Sequence, residues 1–172
     1  MAVKEMVTRQ TREKIGALLG QLAQERKGKL RLAMLAQSSA YVPGRWSLVV
    51  AAPWMDAEGP RAVIADLTDR LLTNLDKKEL SAIDRVSVLS TANPLVERIV
   101  ELLNNFLGVD VSTVADGFYV SNSRIEDWDL PQAFVFVADP SVRSTPLVRS
   151  KPQMMRSKPQ KLNGARRKAS AR

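Results

Sequence analysis

Apolar positions near the N-terminus follow a helical rhythm. Ile15, Leu18, Leu19 and Leu22 fall at i, i+3, i+4 and i+7, which predicts an amphipathic helix over residues 4 to 26. Gly16 and Gly20 each weaken that helix by about 1 kcal/mol relative to alanine. Gly28 marks its end, with Arg26 and Lys27 placed against the negative end of the helix dipole. The rhythm then shifts to alternation in KLRLAMLAQ, where Leu30, Leu32 and Met34 alternate with Lys29, Arg31 and Ala33. Its residue types are good helix formers, so helix is the competing reading of residues 29 to 37. The loop SSAYVPGR and the apolar run RWSLVVAA that follow favour strand.

From position 46 the pattern sharpens. Leu48 to Ala52 form a continuous apolar run, as expected of a strand covered on both faces, and Pro53 ends it. Gly59 and Pro60 open a helix whose buried stripe is Val63, Leu67, Leu71 and Leu75. Asp84 precedes a second strand, Arg85 to Leu89. The stretch Ser90-Thr91-Ala92-Asn93-Pro94 then reads as a capping sequence at a helix start. That helix buries Leu95 or Val96, Ile99, Leu102, Leu103 and Phe106 and stops at Gly108. The order strand–helix–strand–helix implies a right-handed crossover and a parallel pair. Val109 to Val114 and Gly117 to Val120 read as short strands joined by a turn at Asp116-Gly117, and AFVFVA, residues 133 to 138, as the last strand. The expected fold class is α/β: a single domain with a mixed, partly parallel sheet flanked by about three helices, over residues 1–139. Residues 140–172 form a basic Pro/Ser-rich tail, expected to be flexible and disordered in isolation because it has too few apolar side chains to offset its ordering entropy.

Composition narrows the chemistry. The chain of 172 residues has no cysteine and no histidine. It therefore has no disulfide framework, no thiolate metal site, and no imidazole base or ligand. Catalysis would have to use carboxylates, lysine, tyrosine or a carboxylate-bound magnesium ion. No apolar run approaches the length of a membrane span and MAVKEMVTRQ is no secretory signal, so a cytoplasmic location is expected. The net charge of +8 is unevenly distributed. Residues 46–139 carry seven bases against fifteen acids, whereas residues 140–172 carry ten bases and no acid. The basic character belongs to the ends of the chain, and the central domain is acidic.

Ligands of open α/β sheets collect beyond the carboxyl ends of the strands. Two such ends are legible. The first carries Pro53, Trp54, Asp56 and Glu58. The second carries Ser90, Thr91 and Asn93 at a helix N-terminus that could hold an anion. Asp56, Glu58 and Ser90 are thus the candidate catalytic residues of a magnesium-dependent phosphoryl- or nucleotidyl-transfer enzyme. The plainer reading makes Ser90 or Thr91 a helix cap and the carboxylates solvated loop charges. No glycine-rich phosphate cradle is present, and no cofactor or resident metal is expected. Trp46 and Trp54 flank the first parallel strand as packing residues. Trp128, between Asp127 and Asp129, is expected in a turn and folded against the domain edge, with a partner-docking loop or an acidic site as the alternatives.

The succession of helix, LRLAMLA, QSS, loop and RWSLVVAA over residues 4–52 resembles the opening of minimal nucleotidyltransferase domains. The resemblance implies a turn at Gln37-Ser38, here without the family's glycine, and a metal-binding pair near Ser47 and Val49, where no carboxylate stands. It would imply a degenerate domain. In the tail, RSKPQ occurs twice within residues 149–160, and Arg149, Lys151, Arg156, Lys158, Lys161, Arg166, Arg167 and Lys168 form a proline-spaced cationic arm. Such an arm suits phosphate neutralisation on nucleic acid, or an acidic protein partner. Arg166 to Ser170 also resembles a basophilic kinase site. The leading expectation is a non-catalytic binding or regulatory domain. A structural subunit, dimerised through the N-terminal helix, is a further alternative.

Overall fold

The computed structural model describes residues 7–37, 44–106, 115–125 and 128–142. Five strands, β1 (Leu32–Gln37), β2 (Trp46–Ala51), β3 (Ile83–Val88), β4 (Phe118–Ile125) and β5 (Trp128–Ala138), form one mixed sheet in the order β3-β2-β1-β5-β4. Only β2 and β3 are parallel. Three longer helices, α1 (Arg9–Glu25), α3 (Pro60–Asn74) and α5 (Pro94–Glu101), flank the sheet, with short helices α2 (Pro53–Glu58) and α4 (Lys77–Leu80) beside α3. The domain is α/β, as its periodicity predicts. No helix among the described residues is long and apolar enough to cross a membrane.

Both sheet faces are covered. Ile15, Leu18, Leu19 and Leu22 of α1 and Val63, Leu67 and Leu71 of α3 share one core with Ala33, Leu35, Leu48, Val50, Phe134 and Phe136. Val96, Ile99, Val100 and Leu103 pack on the opposite face, against Leu32, Met34, Val49, Ala51 and Val135. This double burial decides residues 29 to 37. A helix there would expose part of the run, whereas the strand buries Leu32 to Ala36 completely. The strand starts only at Leu32, so the apparent alternation with Lys29 and Arg31 lies before it, and Ala33 is as buried as its neighbours.

Several expected boundaries move, for identifiable reasons. α1 begins at Arg9 because Thr8 caps it, its hydroxyl accepting from the Thr11 N–H at 3.2 Å. The expected helical residues 4 to 6 lie outside the described residues. At its end Lys27 adopts a left-handed conformation, φ 49°, and the Lys27 and Gly28 amides return to Gln24 and Ala23. Gly28 serves a different need: a Cβ there would meet Trp54 Cδ1 at 2.5 Å. β3 starts at Ile83, two residues earlier than expected, because a register shift between Trp46 and Ser47 accommodates Asp84 inside the strand.

β4 runs to Ile125 and β5 starts at Trp128, so Trp128 and Asp129 stand in a strand and not in the expected turn. Pro131 is tolerated there because β5 registers with β1 only from Ala133, leaving one edge free. On the β4 side Pro131 lies opposite Asn122, a left-handed residue at φ 52° that interrupts the ladder. The expected strand Val109 to Val114 lies outside the described residues. After α5 the backbone continues as a π-helical turn, Leu102–Phe106. Asn104 marks it, donating to the Val100 carbonyl at 2.8 Å and to the Ala138 carbonyl at 3.1 Å.

Candidate functional site

The region beyond the parallel strands is built by α2, which turns the chain immediately after β2. Pro53 supplies the first helical position and Asp56 falls one turn later. From there the Asp56 carboxylate reaches the loop after β3. It accepts the Thr91 N–H at 3.1 and 3.3 Å and the Thr91 hydroxyl at 2.5 Å. Thr91 itself is 1% exposed. The two strand ends expected to share a site are thus joined through one carboxylate.

Two further amides of this loop also have partners. The Ala92 N–H donates to the Ser90 hydroxyl at 3.2 Å, and the Asn93 N–H to the Ser90 carbonyl at 2.9 Å. Asn93, not Ser90 or Thr91, caps α5, its side chain accepting from the Leu95 N–H at 2.9 Å. The Asn93 carbonyl takes the amides of Val96 and Glu97, and Pro94 has none to give. Ser90, Thr91 and Asn93 therefore do converge, yet the Thr91, Ala92 and Asn93 amides already have protein acceptors. Asp56 takes the Thr91 amide and hydroxyl just ahead of this helix start, and Asn93 itself takes the first helical amides that would otherwise attract an anion.

Glu58, two residues along α2, pairs instead with Arg26 at 3.0 Å. Arg26 also meets Asp66 at 3.2 Å, Asp66 meets Arg70 at 2.9 Å, and Arg70 reaches Glu25 at 2.6 Å. Partial burial works against the Asp66 charge, but the Arg70 and Arg26 hydrogen bonds outweigh it and hold its pKa below the ordinary value. The Arg70 hydrogen bond likewise lowers Glu25, and the two acids raise Arg70 above its already high value. Asp56, Glu58 and Ser90 thus each have a different partner. Among the described residues no group of three or more acidic side chains is placed to hold a metal ion.

Trp46 and Trp54 pack. Trp46 is buried with its ring centroid 5.3 Å from that of Phe134, and half-buried Trp54 lies against Gly28 with the Arg26 guanidinium 5.8 Å from its ring. Ser47 and Val49, where the nucleotidyltransferase resemblance would put metal ligands, are both buried within β2. Gln37 ends β1, and Ser38 lies outside the described residues. So do the tail cations Arg149 to Lys168. On α1 the apolar stripe faces the sheet, and Gln10, Glu13, Ala17, Gln21 and Gln24 stand exposed.

Two buried arginines escaped the sequence reading. Arg31, with 5% of its side chain exposed, pairs with Glu97 and joins the start of β1 to α5. Arg12 donates to the Val7 and Asp116 carbonyls at 3.1 Å and lies 4.0 Å over the Phe134 ring. The signal for Arg31 was a lone cation beside an apolar run, which reads equally as a solvent-facing strand position. Compared with known proteins, the chain matches no family model, no curated protein and no solved structure.

Proposed function

We propose that this protein is a binding domain whose C-terminal cations hold nucleic acid by neutralising its phosphates. The observation that carries this reading is the segregation of charge, with ten bases and no acid in residues 140–172 beside fifteen acids and seven bases in residues 46–139. The ten tail cations attract a polyanion, and the RSKPQ duplication supplies two similar contact points for weak multivalent attachment. The region beyond the parallel strands supports the same reading, because Asp56, Glu58 and Ser90 each bond a different partner, Thr91, Arg26 and the Ala92 amide. No reaction step is assigned to them.

The test is titration of a labelled RNA duplex and of polyglutamate with the full chain across a salt series. A second full chain carries glutamine in place of Arg149, Lys151, Arg156, Lys158, Lys161, Arg166, Arg167 and Lys168. The RNA affinity of the unmodified chain should fall with salt by about 0.7 to 0.9 logarithmic units per tenfold step for each phosphate neutralised, and the substituted chain should lose most of it. Affinity indifferent to salt, or unchanged by the substitutions, rejects the reading. Tighter binding of polyglutamate than of RNA replaces nucleic acid with an acidic protein partner.

A further inference from the structure

A groove of about 450 Å³ runs between α1 and the adjoining ends of β1 and β5. Gly20 and Ala23 line it from α1, Phe136 and Val137 from β5, and Lys29 and Asp139 supply its charges. The two glycines of α1 differ here. Gly16 is required by close approach, since a Cβ would stand 2.3 Å from the Ala115 carbonyl oxygen. A Cβ at Gly20 would meet no described atom within 4 Å. The groove is thus an apolar recess that described side chains leave open.

The chain leaves the domain beside this recess. Asp139 donates its N–H to the Arg31 carbonyl at 2.9 Å, and its carboxylate accepts from the Ser141 amide and hydroxyl at 2.8 and 2.6 Å. The turn after β5 is thereby pinned, and Val142 is the last described residue. The first large apolar pair beyond it is Leu147-Val148, five and six positions on. Extended chain of that length spans up to about 20 Å, whereas α1 from Gly16 to Ala23 rises only about 10 Å. Pro146 biases the approach toward extended backbone, and Arg149 begins the doubled basic unit directly after the pair.

We propose that Leu147 and Val148 seat in the groove between α1 and β5. The pair anchors the tail, so the cationic arm starts from a fixed point at Arg149. So short a tether keeps the pair at high effective concentration beside its recess, and a modest apolar contact is enough to hold it. The inference does not depend on which polyanion the arm meets.

The chain has no native cysteine, so a nitroxide can be attached through Gln24→Cys, an exposed α1 position one turn beyond Gly20. In the isotopically labelled full chain without nucleic acid, the amide signals of Leu147 and Val148 should be lost while those of residues 160–172 persist. Adding Gly20→Leu fills the recess and should restore the two signals. The same restoration is expected from Leu147→Ser with Val148→Ser, which leaves the domain unaltered. Signals of residues 147 and 148 as strong as those of the distal tail would overturn the proposal. So would a loss centred on Met154-Met155, or a loss that survives both sets of substitutions.

Discussion

At Thr91, itself buried although its neighbours Ser90 and Ala92 are exposed, the backbone amide and the hydroxyl both donate to Asp56. Asp56→Ala leaves two buried donors unpartnered and should cost about 1 to 3 kcal/mol in urea unfolding. Asp56→Asn, which keeps one acceptor oxygen, should recover part of the loss. Similar effects of both substitutions would show that the paired acceptance does not matter. The end of α1 offers a second pair of contrasts. Lys27→Gly removes the side-chain clash of a left-handed residue and should raise stability by up to about 1 kcal/mol. Gly28→Ala drives a methyl group against Trp54 and should lower it by about 1 to 3 kcal/mol. Opposite shifts in thermal midpoint at two adjacent positions check this directly. Gly28 was legible as a stop signal. Its contact with a tryptophan twenty-six positions away was not.

Between elements, the helices on the α1 side are held by polar contacts as well as by their core. Glu79 closes the capping box of α4 with Asp76, meets Lys14 of α1 at 2.8 Å and accepts from Thr11 at 3.3 Å. The Lys14 hydrogen bond, helped by the Asp76 amide, keeps its pKa below the ordinary value of 4.5 despite partial burial. A carboxylate with a depressed folded-state pKa stabilises above its unfolded value, and that contribution disappears as pH falls through the folded value. The unfolding midpoint should therefore drop on acidification below about pH 4.5. Glu79→Gln should be less stable than the parent at pH 7 and should show a shallower acid limb. Parallel curves for the two proteins would exclude Glu79 from the acid transition. α4 was missed from sequence because four residues contain no periodicity. α3 was read correctly because Val63, Leu67, Leu71 and Leu75 mark four turns on one face.

Across the whole molecule, charge and sheet edges are arranged together. β3 and β4 are the outer strands, and among the described residues neither pairs further. Exposed Asp84 and Arg85 on β3, and Arg124 with left-handed Asn122 on β4, disfavour pairing with another chain there. Under the proposed function, electrostatic attraction falls to the tail. Deleting Arg156–Gln160 removes two cations and one RSKPQ unit. If the arm holds nucleic acid, the slope of log affinity against log salt should become shallower by about 1.4 to 1.8 units. An unchanged slope in the same RNA titration would show that this unit does not touch phosphate.

Read alone, the sequence determined the α/β class, α1, β2 and α3, the proline-marked start of α5, the separation of basic tail from acidic domain, and the exclusion of histidine and cysteine chemistry. These follow from side-chain periodicity, backbone stops and charge, which act over a few residues. Tertiary structure alone decided the strand order β3-β2-β1-β5-β4, the full length of β5 and the strand state of residues 32–37. It also joined Asp56 to Thr91 across 35 positions and Arg31 to Glu97 across 66. Those outcomes depend on which arrangement buries both sheet faces while pairing the backbone donors of the covered strands. No local window of the chain contains that condition.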